Sequence, residues 1–112
     1  MYEMKSLIIA SLMFFSSPDE LVTADNNNFV YTVSASKKVE VGHEVRLTGY
    51  IKKSMGDSTY LFHDETGNIY IKVDEGYISR LQVELYEQIT IRGKVDSNWG
   101  SKIIDVEKIR KT

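Results

Sequence analysis

"VRLTGYIKKSM", residues 45–55, alternates apolar and polar side chains with one gap in the pattern. Val45, Leu47 and Ile51 fall on one face and Arg46, Thr48, Tyr50 and Lys52 on the other, the period of a half-buried strand. The gap is Gly49, which occupies an apolar-face position in mid-strand. A glycine there suits a strand that bends sharply or admits another backbone at close range.

Downstream the same period recurs. "TYLFHD" (59–64) reads as a second strand, reached through a turn at Gly56-Asp57, and "DETG" (64–67) as a hairpin turn into a third, "NIYIKVD" (68–74). In that third strand Ile69, Ile71 and Val73 point inward and Tyr70 and Lys72 outward. "EGYISRLQVELYE" (75–87) is irregular to weakly helical and carries the chain to a fourth strand, "QITIRGKVD" (88–96), with a second mid-strand glycine at Gly93. A fifth strand is "SKIIDVEKIRK" (101–111), with Ile104 and Val106 inward and Asp105 outward, paired with Arg92 or Lys94. Upstream, "TVSASKKV" (32–39) fits a short helix capped by Thr32 or Ser34. Five short strands, the first bent and the third and fourth joined by a long crossover, define an all-β fold. The expected fold is a five-stranded OB-fold (Greek-key) barrel with a short N-terminal helix, over residues 32–112.

The beginning of the chain differs from the rest. "SLIIASLMFF" (6–15) follows Lys5 and leads to Val22-Thr23-Ala24, the pattern of a secretory signal peptide (1–24) cut after Ala24. The alternative is an apolar N-terminal helix packed on the domain. Residues 25–31 would then be a flexible leader. Removing Lys5 together with Glu3, Asp19 and Glu20 brings the 14 basic and 16 acidic residues to equal numbers. A neutral domain has no electrostatic funnel for a polyanion. The chain has no cysteine, hence no disulfide and no thiol for lipid attachment, and no membrane anchor is expected.

The segments "TGYIKKSMGDSTYLFHDETGNIYIKVD" and "ITIRGKVDSNWGSKIIDVEKIRK" resemble the bacterial OB-fold (BOF) family, the small exported YgiW-like stress-tolerance proteins. Gly56, Asp57, Tyr60, Phe62, Asp64 and Gly67 match its first half. Asp96, Trp99, Ser101, Ile104, Asp105 and Val106 match its D-x-x-W-x-S-x-x-I-D-V ending. The resemblance covers residues 32–111 and departs at Asn98, Ile103 and Glu84-Leu85. It implies export to the periplasm, a link to envelope or oxidative stress tolerance, and no catalytic machinery.

OB barrels usually bind on the face of strands two and three, between the β1–β2 and β4–β5 loops. Here those loops are "SMGDS" (54–58) and "DSNWGS" (96–101), which holds Trp99. The candidate ligand-binding residues are therefore Trp99, Tyr50, Tyr70, His63, Lys52 and Lys72. For Trp99 the favoured reading is a plug over one barrel end, shielding Val95 and Ile104. No metal site is expected: His43 and His63 are the only histidines, and alternation sends His63 and Asp64 to opposite faces. No cofactor is expected, and no catalytic residue. Asp64-Glu65 and Asp74-Glu75 read as turn formers and solvated charges, and Ser58, Ser97 and Ser101 have no relay histidine.

The sequence thus describes a non-enzymatic periplasmic binding module. Its partner would be a small molecule, a cell-wall glycan or an envelope protein, and not nucleic acid. The alternative is a single-stranded nucleic-acid-binding OB module using an outward stripe of Lys52, Lys72, Arg92 and Lys94. The plug makes the first prediction. Trp99→Ala should destabilise the domain by about 3–5 kcal/mol in urea unfolding while leaving partner binding intact well below the midpoint. Unchanged stability with lost binding would make Trp99 a contact residue.

Overall fold

The computed structural model describes residues 29–98 and 100–112. The signal peptide expected over 1–24, the first part of the leader (25–28) and Trp99 lie outside the described residues. Two short helices and five strands follow in order: α1 (Val33–Ser36), β1 (Glu44–Gly56), β2 (Thr59–Asp64), β3 (Gly67–Lys72), α2 (Glu75–Leu81), β4 (Ile89–Asn98) and β5 (Ser101–Lys111). The strands close into a barrel in the order β1-β2-β3-β5-β4, with β3 and β5 parallel and every other pair antiparallel. This is the OB-fold architecture expected from the sequence.

The alternating residues make the core. Val45, Leu47, Ile51, Phe62, Ile71 and Ile91 are buried inside the barrel, joined by Val95 and Ile104. From outside the sheet, α1 contributes Val33, and the crossover contributes Tyr77, Ile78, Leu81 and Val83. The Tyr77 hydroxyl accepts the Ile109 backbone N–H at 3.0 Å, fixing α2 to β5. The helix begins at Asp74, whose carboxylate accepts the Gly76 N–H at 3.0 Å, and ends at Gln82 in the left-handed region, φ 57°.

β1 serves two neighbours, pairing with β4 through its first half and with β2 through its second. The handover falls at Gly49. A Cβ there would lie 2.1 Å from the His63 carbonyl oxygen and 3.0 Å from the Phe62 ring. Gly93 is the counterpart on β4, where a Cβ would lie 2.1 Å from the Asp105 carbonyl oxygen. Both glycines are thus required by close backbone approach.

Asp64 departs from the sequence expectation: it shapes the turn but is not solvated, being only 8% exposed. One carboxylate oxygen accepts the Thr66 N–H and hydroxyl, each at 2.7 Å, and the Gly67 N–H at 3.2 Å. The other accepts the Val33 N–H at 2.9 Å, the first donor of α1. The Thr66 hydroxyl in turn accepts the Ser34 N–H at 2.9 Å, and Thr32 caps the Ala35 N–H at 3.1 Å. The N–H groups of Val33, Ser34 and Ala35, which the helix start leaves without intrahelical partners, are met, two of them by the β2–β3 turn. Burial pushes the Asp64 carboxyl up, but the hydrogen bonds from Thr66, Val33 and Gly67 outweigh it and hold it below the ordinary aspartate value of 3.8.

Two predictions follow from these contacts. Gly49→Ala should destabilise the barrel by about 1–3 kcal/mol or more, because the obstacle is backbone and cannot rotate away; urea unfolding measures it. Asp64→Asn keeps one acceptor oxygen for the turn but sets an amide donor against the Val33 N–H. It should lose about 1–3 kcal/mol at pH 7. A depressed carboxyl stabilises only while ionised, so the wild type's advantage should shrink as pH falls below about 4, the ordinary aspartate range. Unfolding series at pH 7 and pH 3 test this.

Candidate functional site

The β1–β2 connection is a two-residue loop, with Asp57 at φ 54° and Ser58 at φ 59°. Positive φ at both positions is the hairpin geometry that matches strand twist. Barrel closure brings this loop to the same end as the β4–β5 turn. Between them runs a groove of about 360 Å³ walled by Met55, Asp57 and Thr59 on one side and Asn98 and Ser101 on the other. Its floor is Tyr70 and Ile71 of β3 with Ile103 of β5. A second hollow of about 540 Å³ continues it, lined by Leu61, Asn68 and Ile69, with Lys37 and Lys102 at its rim. Tyr70 and Ser101 belong to both.

Tyr70 is the centre of this surface: 43% exposed, on the outward face of β3, directly opposite Leu61 on β2 and Ile103 on β5. Ile103 is 7% exposed yet stands outside the barrel core, packed beneath the groove. The sequence signal for it was the doublet Ile103-Ile104: in a strand, two adjacent apolar residues cannot both face inward. Met55, also exposed, extends the apolar strip to the β1–β2 loop. Lys72 lies at the groove's edge, across from Thr59 and Asp105.

The other candidates form a separate group. The Tyr50 ring lies 5.1 Å from the His63 ring and 5.3 Å from Tyr86. The His63 Nδ1 is hydrogen-bonded to the Asn68 side-chain oxygen, which links this stack to the second hollow. Tyr86 was not singled out from the sequence. It sits in the crossover at φ 65°, 63% exposed, with its N–H donated to the Ile51 carbonyl at 2.9 Å. Lys52 occupies the β1 irregularity between Ile51 and Lys53, outside both hollows. Trp99, beyond the described residues, is bracketed in the chain by Asn98 of the groove wall and Gly100.

The stripe of Lys52, Lys72, Arg92 and Lys94 does not assemble. Lys72 is on β3, while Arg92 and Lys94 are on β4, with β5 between them. Nor does Lys94 pair with Asp105, although the two are in register: its ammonium reaches Glu107 at 3.9 Å. Among the described residues, no group of three or more His, Cys, Asp or Glu side chains could hold a metal ion, and no helix is long and apolar enough to cross a membrane.

A closed OB barrel with a groove between its β1–β2 and β4–β5 loops places the chain among OB-fold proteins, and residues 20–111 match the bacterial OB fold (BOF) protein family, to which the chain belongs. Protein YgiW of Escherichia coli strain K12 is 34% identical over 85 residues, covering 76% of this chain and 65% of that protein, just under two thirds of its length. The structure of the hypothetical protein YgiW from E. coli superposes with a TM-score of 0.68 at 30% identity, covering 77% of this chain and 91% of the other. The telomere capping protein Ten1 from Saccharomyces pombe shares the fold alone, with a TM-score of 0.54 at 15% identity over 75% of this chain and 79% of its own.

Proposed function

We propose that the chain is a non-enzymatic periplasmic binding protein of envelope or oxidative stress tolerance, and that its groove takes a cell-wall glycan. Membership of the YgiW-like family and the secretory pattern at residues 1–24 support the exported setting. The observation that carries the ligand class is the Tyr70 ring, exposed on an apolar floor with Met55 and Ile103 and edged by the amides of Asn68 and Asn98 and the hydroxyl of Ser101. An aromatic face amid amide and hydroxyl groups suits a sugar, which presents C–H groups to the ring and hydroxyls to its surroundings. A small molecule or an envelope protein would use the same apolar strip.

The test is a titration with soluble cell-wall fragments followed by amide chemical shifts. Shifts should cluster on β3 and the two loops. Tyr70→Ala should weaken binding about tenfold or more, while stability stays within about 0.5 kcal/mol because the ring is outside the core. Binding indifferent to Tyr70 would sink the groove reading. Binding of an unstructured oligonucleotide in place of the glycan would favour the nucleic-acid alternative.

A further inference from the structure

On the far side of the barrel, β5 carries an irregularity that decides which side chains face β4. Ile104 and Val106 point inward, but the next inward residue is Ile109. The register shifts between Arg92 and Gly93, so that Gly93 pairs with Val106 and Arg92 with Lys108, leaving Glu107 as the extra residue. In an unbroken ladder Glu107 would lie opposite Arg92 as its natural counter-charge. The bulge instead sets Lys108 there, and Glu107 turns to Lys94.

The result is a row of cations in direct cross-strand register. Arg46 of β1 faces Arg92 of β4, which faces Lys108 of β5, while Arg110 stands across from Thr90. Like charges directly opposite one another are unfavourable in a sheet. The ion pairs among the described residues, Lys94–Glu107 and Lys111–Glu87, engage none of the four. These cations line a hollow of about 210 Å³ together with Thr90 and Ile109, with no carboxylate in its wall. The Arg46 guanidinium lies over the Phe29 ring, 4.7 Å from its centroid. Thr48 and Thr90 share one hydrogen bond of 2.9 Å, so whichever hydroxyl accepts still has a proton to donate.

We propose that this row on β1, β4 and β5 binds a small oligophosphate anion. Three guanidinium forks and an ammonium present many donors and no acceptor, the chemistry that recognises phosphate oxygens bidentately. The row crosses two strand spacings, about 10 Å, longer than one phosphate and matched to two or three linked ones. It lies apart from the groove of Tyr70, so it stands or falls independently of the glycan reading.

The experiment is thermal unfolding and isothermal titration of the purified protein with sodium tripolyphosphate, against sodium chloride at equal ionic strength. Tripolyphosphate should raise the midpoint by about 4 °C or more. Arg92→Gln and Lys108→Gln should each weaken binding at least tenfold, and without anion should melt at the same temperature as the wild type or higher, because each relieves like-charge repulsion. Lys94→Gln, outside the row, should bind within twofold of the wild type. Chloride stabilising equally well would overturn the proposal, as would substitutions that lower the midpoint yet leave the tripolyphosphate shift intact. A (dT)12 oligonucleotide that binds more tightly and displaces tripolyphosphate would overturn it in favour of a nucleic-acid surface.

Discussion

The barrel closes because two positions carry no side chain. At Gly49 and Gly93 the neighbouring backbone approaches within the space that a Cβ would fill. Without that approach β1 could not leave β4 for β2 partway along its length, and the sheet would stay open. Closure brings the β1–β2 loop beside the β4–β5 turn and so creates the groove over Tyr70. The tight contact at Gly93 also sits at the register shift that gives β5 its extra residue, so the basic row depends on the same constraint.

Much of this was legible in the sequence, because alternation records which face of each strand is buried. The five strands, both mid-strand glycines, the Thr32 cap and the outward Tyr70 and Lys72 all follow from period and turn chemistry. What escaped was set by partners distant in the chain. Asp64 reads as a surface turn residue until α1, thirty-one positions earlier, delivers the Val33 N–H to it. Tyr86 lies in a connector with no periodicity, and only the fold brings its ring to Tyr50. The bulge did leave a trace, since the inward residues run Ile104, Val106, Ile109 and skip a step. Reading a uniform alternation through β5 therefore missed Lys108 opposite Arg92. Asp105 does stand in register with Lys94, one of the two partners expected for it, but the Lys94 ammonium goes to Glu107.

Near-neutral overall charge conceals a division of labour between faces. The face over β3 is apolar and aromatic with scattered lysines, whereas the face over β4 and the end of β5 gathers arginines. A charge total averages such segregation away, so the argument from neutrality against anionic ligands holds for long-range steering and not for a short, locally built site.

The segment just before α1 has a bearing on self-association. Val30 lies parallel to β1, donating its N–H to the Glu44 carbonyl at 3.1 Å and accepting the Arg46 N–H at 2.8 Å. Those are backbone groups on the side of β1 that β2 does not reach until Tyr50. Such a row is a template on which a second chain could add a strand. A single residue at the tail of the expected leader thus acts as a cover strip, and a processing site that removed it would hand the protein a sticky edge. The geometry therefore sets a downstream limit on where the chain can be trimmed without uncovering that edge of β1.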